Sequence, residues 1–219
     1  MGFLLLALAG GSFVASGAAG AFSGKVPAVV VVRVGILAEI VGIAWAGFII
    51  GPDAAWGWLI PALAVYGFGV GLATAQLTGV ILQDVPVEKS GQGSGMQSTA
   101  RQVGSALGVA ILGTVLFTTT GGVLAASLDD AGVPAAQADT VVSAVVDSAG
   151  AAIAGFEADP AQAQIADAAR TAFSDGTRAS ALTAAGFLVI GLGATYALGS
   201  GRRREESQES RPAERVQGS

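Results

Sequence analysis

Five apolar stretches, each about as long as a bilayer is thick, limit what this chain can fold into. A helix needs roughly 20 mostly apolar residues to cross the hydrocarbon core. In lipid the backbone must satisfy its own hydrogen bonds, so such stretches cross as helices. The sequence therefore predicts an all-α polytopic membrane helix bundle with about five transmembrane helices. The predicted spans are Phe3–Phe22, Ala28–Ile50, Trp56–Leu82, Val103–Thr120 and Ala179–Leu198.

The overall composition agrees with a chain that lies mainly in lipid. Of its 219 residues, 52% are apolar and 12% are charged, and the charged share is about half of that in soluble proteins. The first span does not have the form of a secretory signal, because no basic residues precede it and its apolar run is too long. The lipid bilayer is therefore the first predicted partner of the chain.

The missing residue types exclude most catalytic and metal sites. The chain has no His and no Cys, which removes disulfides, thiol nucleophiles, His-based triads and nearly every zinc, haem or iron–sulfur site. The run Gly20–Lys25 lacks the Ser or Thr that a phosphate loop needs after its lysine. Ser94 lies between two glycines, but no histidine can activate it. We therefore predict no enzyme, no cofactor, no metal and no nucleic-acid partner.

The basic residues predict the orientation, since cytoplasmic loops carry an excess of Lys and Arg. If the spans alternate, the opposite side holds only Arg170 and Arg178. This predicts a multi-pass protein of the cell (plasma) membrane with a cytoplasmic C-terminus. The nine basic residues on the predicted cytoplasmic side are Lys25, Arg33, Lys89, Arg101, Arg202, Arg203, Arg204, Arg211 and Arg215.

The same alternation divides the chain into four parts. Residues 1–120 carry transmembrane helices one to four, and residues 121–178 form an extracytoplasmic, partly helical loop. Residues 179–199 form the last transmembrane helix, and residues 200–219 form a polar cytoplasmic tail that its composition predicts to be disordered. The external loop is acidic; its acids are Asp129, Asp130, Asp139, Asp147, Glu157, Asp159, Asp167 and Asp175.

Two parts of the external loop have helical patterns. Asp159-Pro160 is typical of a helix N-cap followed by the first helical residue. We expect the helix to cover Ala161–Ser174 and to end at Asp175-Gly176. A weaker helical stretch covers Pro134–Ser148, with valines at helical spacing. These patterns favour a solvated helical cap over the bundle.

Glycines are frequent in the predicted spans. Helices in lipid associate through close backbone contact, so small residues four apart mark packing faces. This pattern predicts a tightly packed bundle of helices. The predicted helix-packing residues are Gly67, Gly69, Gly71, Gly104 and Gly108.

Glu39 is the acid that lies well inside a predicted span. An ionised side chain at mid-membrane costs roughly 2.5–3.5 kcal/mol even on a lenient scale. Protonation, a partner or a water-filled cavity resolves this cost, and a proton-coupled transporter uses all three. The alternative is a protonated or hydrogen-bonded side chain that only packs. Glu39 is therefore a candidate for proton coupling.

Two further polar residues are candidates for coupling or substrate contact. Gln76 lies in the third span, where it bonds either a neighbouring helix or a substrate. Arg101 opens the fourth span, where it pairs with Glu88 or Asp84 or marks the cytoplasmic boundary, the interpretation we favour. Arg33, by contrast, is expected to reach the cytoplasmic surface with its long side chain.

Three glycine-rich motifs follow one another in the third and fourth spans and the loop between them. They are Gly67–Leu72, the loop Leu82–Gly95 with its Pro86 and Glu88, and the helix start Arg101–Gly113. Together they resemble the C-terminal half of a major facilitator superfamily transporter. The resemblance is closest to the fourteen-helix drug:proton antiporter subfamily, in which an Arg-Gln-apolar-Gly helix start follows a Pro–acid–Gly loop.

The resemblance implies the C-terminal part of a proton-coupled multidrug efflux transporter. Its substrates would be protons and amphipathic small molecules, exchanged by alternating access. Transporter sites form between two halves, so the chain is not expected to function alone. The missing N-terminal half of the transporter, or another membrane polypeptide, is the implied partner. The alternative is a non-transporting membrane subunit or remnant that binds partner helices.

Overall fold

A computed structural model describes residues 2–22, 26–52, 56–82 and 85–209. Within these ranges the chain forms α-helices and two short 3-10 turns and contains no strand, which confirms the all-α class. Five helices are long and apolar enough to cross a membrane, as predicted. Lys25, Asp84 and residues 210–219 lie outside the described ranges. The helices are α1 (Gly2–Phe22), α2 (Ala28–Ile49), α3 (Trp56–Leu82), α4 (Ser90–Asp130), α5 (Ala135–Asp147), α6 (Ile153–Glu157) and α7 (Ala163–Glu209).

Helix α3 lies between α1 and α2 and contacts both along its length. Small side chains fill the contacts: Ala15 and Ala19 are buried near Leu72, and Ala46 is buried against Ala62. Small residues let helices approach closely in lipid, where apolar burial gives no advantage over lipid contact. Helices α1 to α3 therefore form one packed unit, which we call the three-helix bundle.

Helices α4 and α7 form a long antiparallel hairpin. They contain 41 and 47 residues, which at 1.5 Å per residue makes them about 60 and 70 Å long. The hydrocarbon core is about 30 Å thick, so both helices extend far beyond it. The predicted spans Val103–Thr120 and Ala179–Leu198 are thus parts of longer continuous helices.

The hairpin carries a helical cap, formed by residues 121–178. The end of α4, helices α5 and α6 and the start of α7 enclose an apolar core. Gly132, with a φ of 71°, ends α4 as a left-handed cap, and after α5 the left-handed position is taken by Ala149 at 51°, followed by Gly150 at 87°. Helix α5 covers all but the end residues of the stretch predicted over Pro134–Ser148. The buried residues of the cap core are Leu124, Leu128, Ala138, Val141, Val145, Ala169 and Ala172.

The start of α7 agrees with the sequence, but its predicted end is wrong. Asp159 is an N-cap whose carboxylate accepts from the backbone N–H of Ala161 at 3.0 Å. After a 3-10 turn the helix runs through Asp175-Gly176 without a break. A Cβ on Gly176 would collide with the Thr120 hydroxyl and lie 2.7 Å from the Leu116 carbonyl oxygen. Gly176 therefore allows two helices to cross closely instead of ending one.

The last helix also extends past the membrane at its other end. Helix α7 continues to Glu209, through the first half of the tail that composition predicted to be disordered. The residues between 202 and 209 are mostly Arg and Glu, which are good helix formers and can extend a helix that is already nucleated. The membrane-spanning segment and the described first half of the tail are thus one helix.

Candidate functional site

Glu39 lies at the contact between α2 and α3, midway along α2. It is half-buried, and its backbone N would be 2.5 Å from a Cβ on Gly69. The same Cβ would lie 2.8 Å from Glu39 Cγ. Tyr66 of α3 packs less than one turn further along α2, where a Cβ on Gly42 would lie 2.7 Å from Tyr66 Cβ. Among the described residues the Glu39 carboxylate has no ion-pair partner. The structure therefore places an unpaired acid at mid-span, next to a tyrosine and a glycine.

Gln76 lies on the face of α3 that contacts α2, which also carries Gly69, the neighbour of Glu39. A Cβ on Gly35 of α2 would lie 2.8 Å from Ala73 N and 2.9 Å from the Gly69 carbonyl oxygen, so positions 69 and 73 face α2. Gln76 follows at three and seven residues, which keeps it on that face. It is half-buried. Glu39 and Gln76 therefore both lie along the α2–α3 contact, separated by about two helical turns.

Arg101 lies apart from these residues. It is exposed on α4, and the described residues provide it with no ion-pair partner. Glu88, one of its two expected partners, is exposed too, and Asp84 is outside the described ranges. The sequence-predicted candidates thus divide into a pair on the α2–α3 contact and a separate residue on α4.

The glycines of α3 let two neighbouring helices, α1 and α2, approach closely. Cβ atoms on Gly67 and Gly71, four residues apart, would strike the α1 backbone at the Leu8 and Ser12 carbonyl oxygens, the latter at 2.5 Å. Gly69 faces α2 instead. Ser12 strengthens the α1 contact by donating a 2.8 Å hydrogen bond to the Gly67 carbonyl. The Gly-x-Gly-x-Gly spacing therefore fits a helix that has a close neighbour on two sides.

Gly104 and Gly108 of α4 have different surroundings. No described atom lies within 4 Å of a Cβ built on either residue. The first half of α4 is almost entirely exposed. These two glycines thus lie on an open helix face.

Arg33 makes a contact that the sequence did not indicate. Its Nη2 donates a 2.7 Å hydrogen bond to the Thr195 carbonyl of α7, and its guanidinium stacks on the Tyr196 ring at 4.0 Å. The buried Nε has no hydrogen-bond partner among the described residues. The sequence predicted that the Arg33 side chain would reach the cytoplasmic surface. Instead the guanidinium stacks on the ring of Tyr196, which is a favourable cation–π contact. Arg33 therefore joins the three-helix bundle to the last helix.

A second contact joins the bundle to the cap. Arg170 of α7 donates a 2.8 Å hydrogen bond to the Pro52 carbonyl, just beyond α2. Its Nε lies 3.5 Å from Glu157 Oε1. Nearby, the Arg178 guanidinium lies 5.8 Å from the centre of the Phe48 ring. Arg33 and Arg170 thus hold α7 to the bundle at two separate positions, Thr195 and Arg170, and only the tertiary structure reveals these contacts.

Acidic residues of the described ranges do not gather into a metal site. No group of three or more Asp and Glu side chains there could hold a metal ion. The chemical groups that the structure offers are a mid-span acid, an amide on the same helix contact and two arginine contacts. These groups suit proton and solute binding within a helix bundle.

The fold and these groups define an all-α, multi-pass membrane protein, with five apolar helices in the described residues. Comparison with curated proteins places transporters among its relatives. The chain is 39% identical over 72 residues to the probable actinorhodin transporter of Streptomyces coelicolor, which covers 33% of this chain and 12% of that protein. It is 33% identical over 91 residues to the multidrug resistance protein Stp of Mycobacterium tuberculosis, covering 42% of this chain and 17% of the relative.

A third relative extends the similarity further along the chain. The multidrug efflux pump LfrA of Mycolicibacterium smegmatis is 33% identical over 129 residues, or 58% of this chain and 24% of the pump. The aligned parts therefore span no more than about a quarter of these relatives. No family model matches the chain, and no solved structure matches it.

Proposed function

We propose that this chain is the C-terminal part of a proton-coupled multidrug efflux transporter of the fourteen-helix antiporter type. In this proposal it exports amphipathic small molecules by alternating access, together with further transmembrane helices. The observation that carries the proposal is the similarity to an antibiotic transporter and to multidrug efflux proteins. The motifs of α3 and α4 supply the link to the major facilitator superfamily.

The first half of α4 supports the need for further helices. At 100° per residue, one face carries Met96, Val103 and Leu107, which are 77%, 54% and 58% exposed. The opposite face is polar and also exposed. Water can solvate the polar residues before the predicted span at Val103. The exposed apolar face begins before the span and continues into it, so it would contact lipid and partner helices. The polar face consists of Ser94, Ser98, Arg101, Gln102 and Ser105.

The expected partner requirement can be tested by complementation. Expressed alone in an efflux-deficient bacterial strain, the chain should leave the accumulation of an amphipathic dye unchanged. Co-expression with a polypeptide that supplies the remaining helices should restore export. Export by the chain alone, in the absence of other transporters, would contradict this part of the proposal.

Glu39 is the proposed proton-coupling residue. Its position at mid-span, with no ion-pair partner in the part of the chain that the structure describes, suits a carboxyl that takes up and releases a proton as the cavity opens and closes. In the complete transporter in proteoliposomes, Glu39→Gln should abolish dye export driven by a pH gradient. Asp139→Asn, at an exposed acid of the cap, is the control and should retain export. Full pH-driven export by the Glu39 variant would reduce this residue to a packing role.

The proposed orientation places the cap outside the cell and the C-terminus in the cytoplasm of a plasma-membrane protein. It rests on nine of eleven basic residues falling on one side. A reporter fused near residue 140 should be active outside, and one fused after Ser219 should be active inside. The reverse pattern would overturn this orientation.

A non-transporting membrane subunit is the second candidate function. The open face at Gly104 and Gly108 favours it, since a small-residue face without a neighbour suits docking of another helix. Both candidates require partner helices, but only the transporter requires Glu39. The Glu39→Gln experiment therefore discriminates between them.

A further inference from the structure

A cavity of about 330 Å³ lies where the cap meets the three-helix bundle. Ile50, Pro52 and Leu59 form the wall on the bundle side. Ligand pockets in proteins usually measure roughly 300–1,000 Å³, so this cavity has room for a small organic molecule. The cap side of the wall is formed by Ile153, Arg170 and Phe173.

The wall combines an apolar surface with one positive charge. Phe173 and the aliphatic side chains offer surface for an aromatic or aliphatic body. Arg170 is the charged residue among those that line the cavity in the described part of the chain. A guanidinium binds carboxylate and sulfonate groups through paired hydrogen bonds. The chemistry of the wall therefore fits an amphipathic anion.

The existing contacts of Arg170 leave it able to bind such an anion. Its ion pair with Glu157 has a single 3.5 Å contact, and the two side chains are 44% and 48% exposed. Exposed pairs of this kind contribute little to stability. The hydrogen bond to the Pro52 carbonyl holds one end of the guanidinium at the cavity wall. A ligand carboxylate can therefore replace Glu157 without freeing the Arg170 side chain.

We propose that the cavity between cap and bundle is a binding site for small amphipathic anions, with Arg170 as the anion-binding group and Phe173 beside the apolar body. The site is separate from the α2–α3 contact that holds Glu39. It does not depend on the proposed transport function, because it stands on the cavity and its wall alone. A ligand there would touch bundle and cap together.

The test uses the full chain in nanodiscs of phosphatidylcholine, with empty nanodiscs subtracted. Calorimetry compares 2-naphthoate with the neutral 2-naphthylmethanol. Arg170→Gln should weaken 2-naphthoate binding about ten- to hundredfold, as expected for loss of a charge-assisted contact. Binding of 2-naphthylmethanol should change less than about threefold, because it does not use the charge. The matched control, Arg178→Gln, changes an arginine of the same helix outside the cavity wall and should leave both affinities unchanged.

A second variant distinguishes anion binding by Arg170 from a purely structural role of this residue. Glu157→Gln removes the competing carboxylate and should tighten 2-naphthoate binding a few-fold, the opposite direction from Arg170→Gln. Equal weakening of both ligands by Arg170→Gln would show that the variant only damages the cap. That result, unchanged binding in Arg170→Gln, or no gain in Glu157→Gln would overturn the proposal.

Discussion

The three-helix bundle and the cap pack by different means. In the bundle, glycine and alanine bring helix backbones together, as where Gly67 meets Leu8 and Gly69 meets Glu39. In the cap, large apolar side chains such as Leu124 and Val145 are fully buried between helices. The bundle has few such buried large side chains, and many of its leucines and valines are exposed.

This difference is the one expected if lipid surrounds the bundle and water surrounds the cap. Lipid tails are as apolar as leucine, so burying a leucine between spans gains little, and close backbone contact decides the packing. Water drives large apolar side chains into a common core. A single chain therefore uses two packing rules, and the change occurs along α4 and α7, which pass from one region into the other.

The largest expected effect is on glycine contacts in the bundle. Gly67→Leu should destabilise the bundle by about 3 kcal/mol or more, because the new side chain meets the α1 backbone, which cannot move aside cheaply. Gly104→Leu is the matched control on the open face of α4. The measurement is the loss of folded protein in detergent on heating. Equal loss in both variants would contradict the contrast between these faces.

A smaller effect is expected for a leucine in the cap. Leu124→Ala should destabilise the cap by about 2 kcal/mol, since a fully buried side chain leaves a cavity. Leu107→Ala, at a residue 58% exposed, should change stability by less than about 0.5 kcal/mol. Hydrogen exchange of the α5 amides reports the cap directly. Unchanged exchange in Leu124→Ala would argue against a cooperative cap core.

The smallest effect concerns pH and the start of α7. The hydrogen bonds from Gln162 and from the Ala161 backbone lower the pKa of the Asp159 carboxyl. Because the folded-state pKa is the lower one, the stabilisation is complete above the unfolded value of about 3.9 and disappears as pH falls through the folded value. Hydrogen exchange near residue 163 should therefore speed up on acidification.

Asp159→Asn is the matched variant for this test. Asparagine still caps a helix N-terminus but has no charge to lose, so its acid sensitivity at this helix end should be smaller. The other acids of the cap are the same in both proteins, so their contributions to the acid-induced change in hydrogen exchange cancel in the comparison. Identical acid responses would show that Asp159 does not contribute through its charge.

Much of the fold could be predicted because apolar length is a strong signal. The number of spans, the helix at α5 and the N-cap at Asp159 all follow from local patterns. The ends of α4 and α7 do not, because whether Gly176 breaks or continues a helix depends on what lies against it. The Thr120 hydroxyl and the Leu116 carbonyl, far away in sequence, decide this.

The candidate site was harder to predict for the same reason. Glu39 stands out in the sequence because an acid in a span is rare, and Gln76 can be placed by its spacing. The contact of Arg33 with Thr195 and Tyr196 joins residues more than 160 positions apart, and no local pattern links them. The wall of the cap cavity likewise comes from separate segments around residues 50 and 170.

The crossing of α4 and α7 at Thr120 and Gly176 divides α4 unequally. About 45 Å of α4 lies between Thr120 and Ser90, and about 15 Å lies between Thr120 and Asp130. A rigid tilt about this crossing would thus displace the Ser90 end about three times as far as the cap end. A small displacement of the cap end of α4 would therefore be amplified about threefold at its Ser90 end.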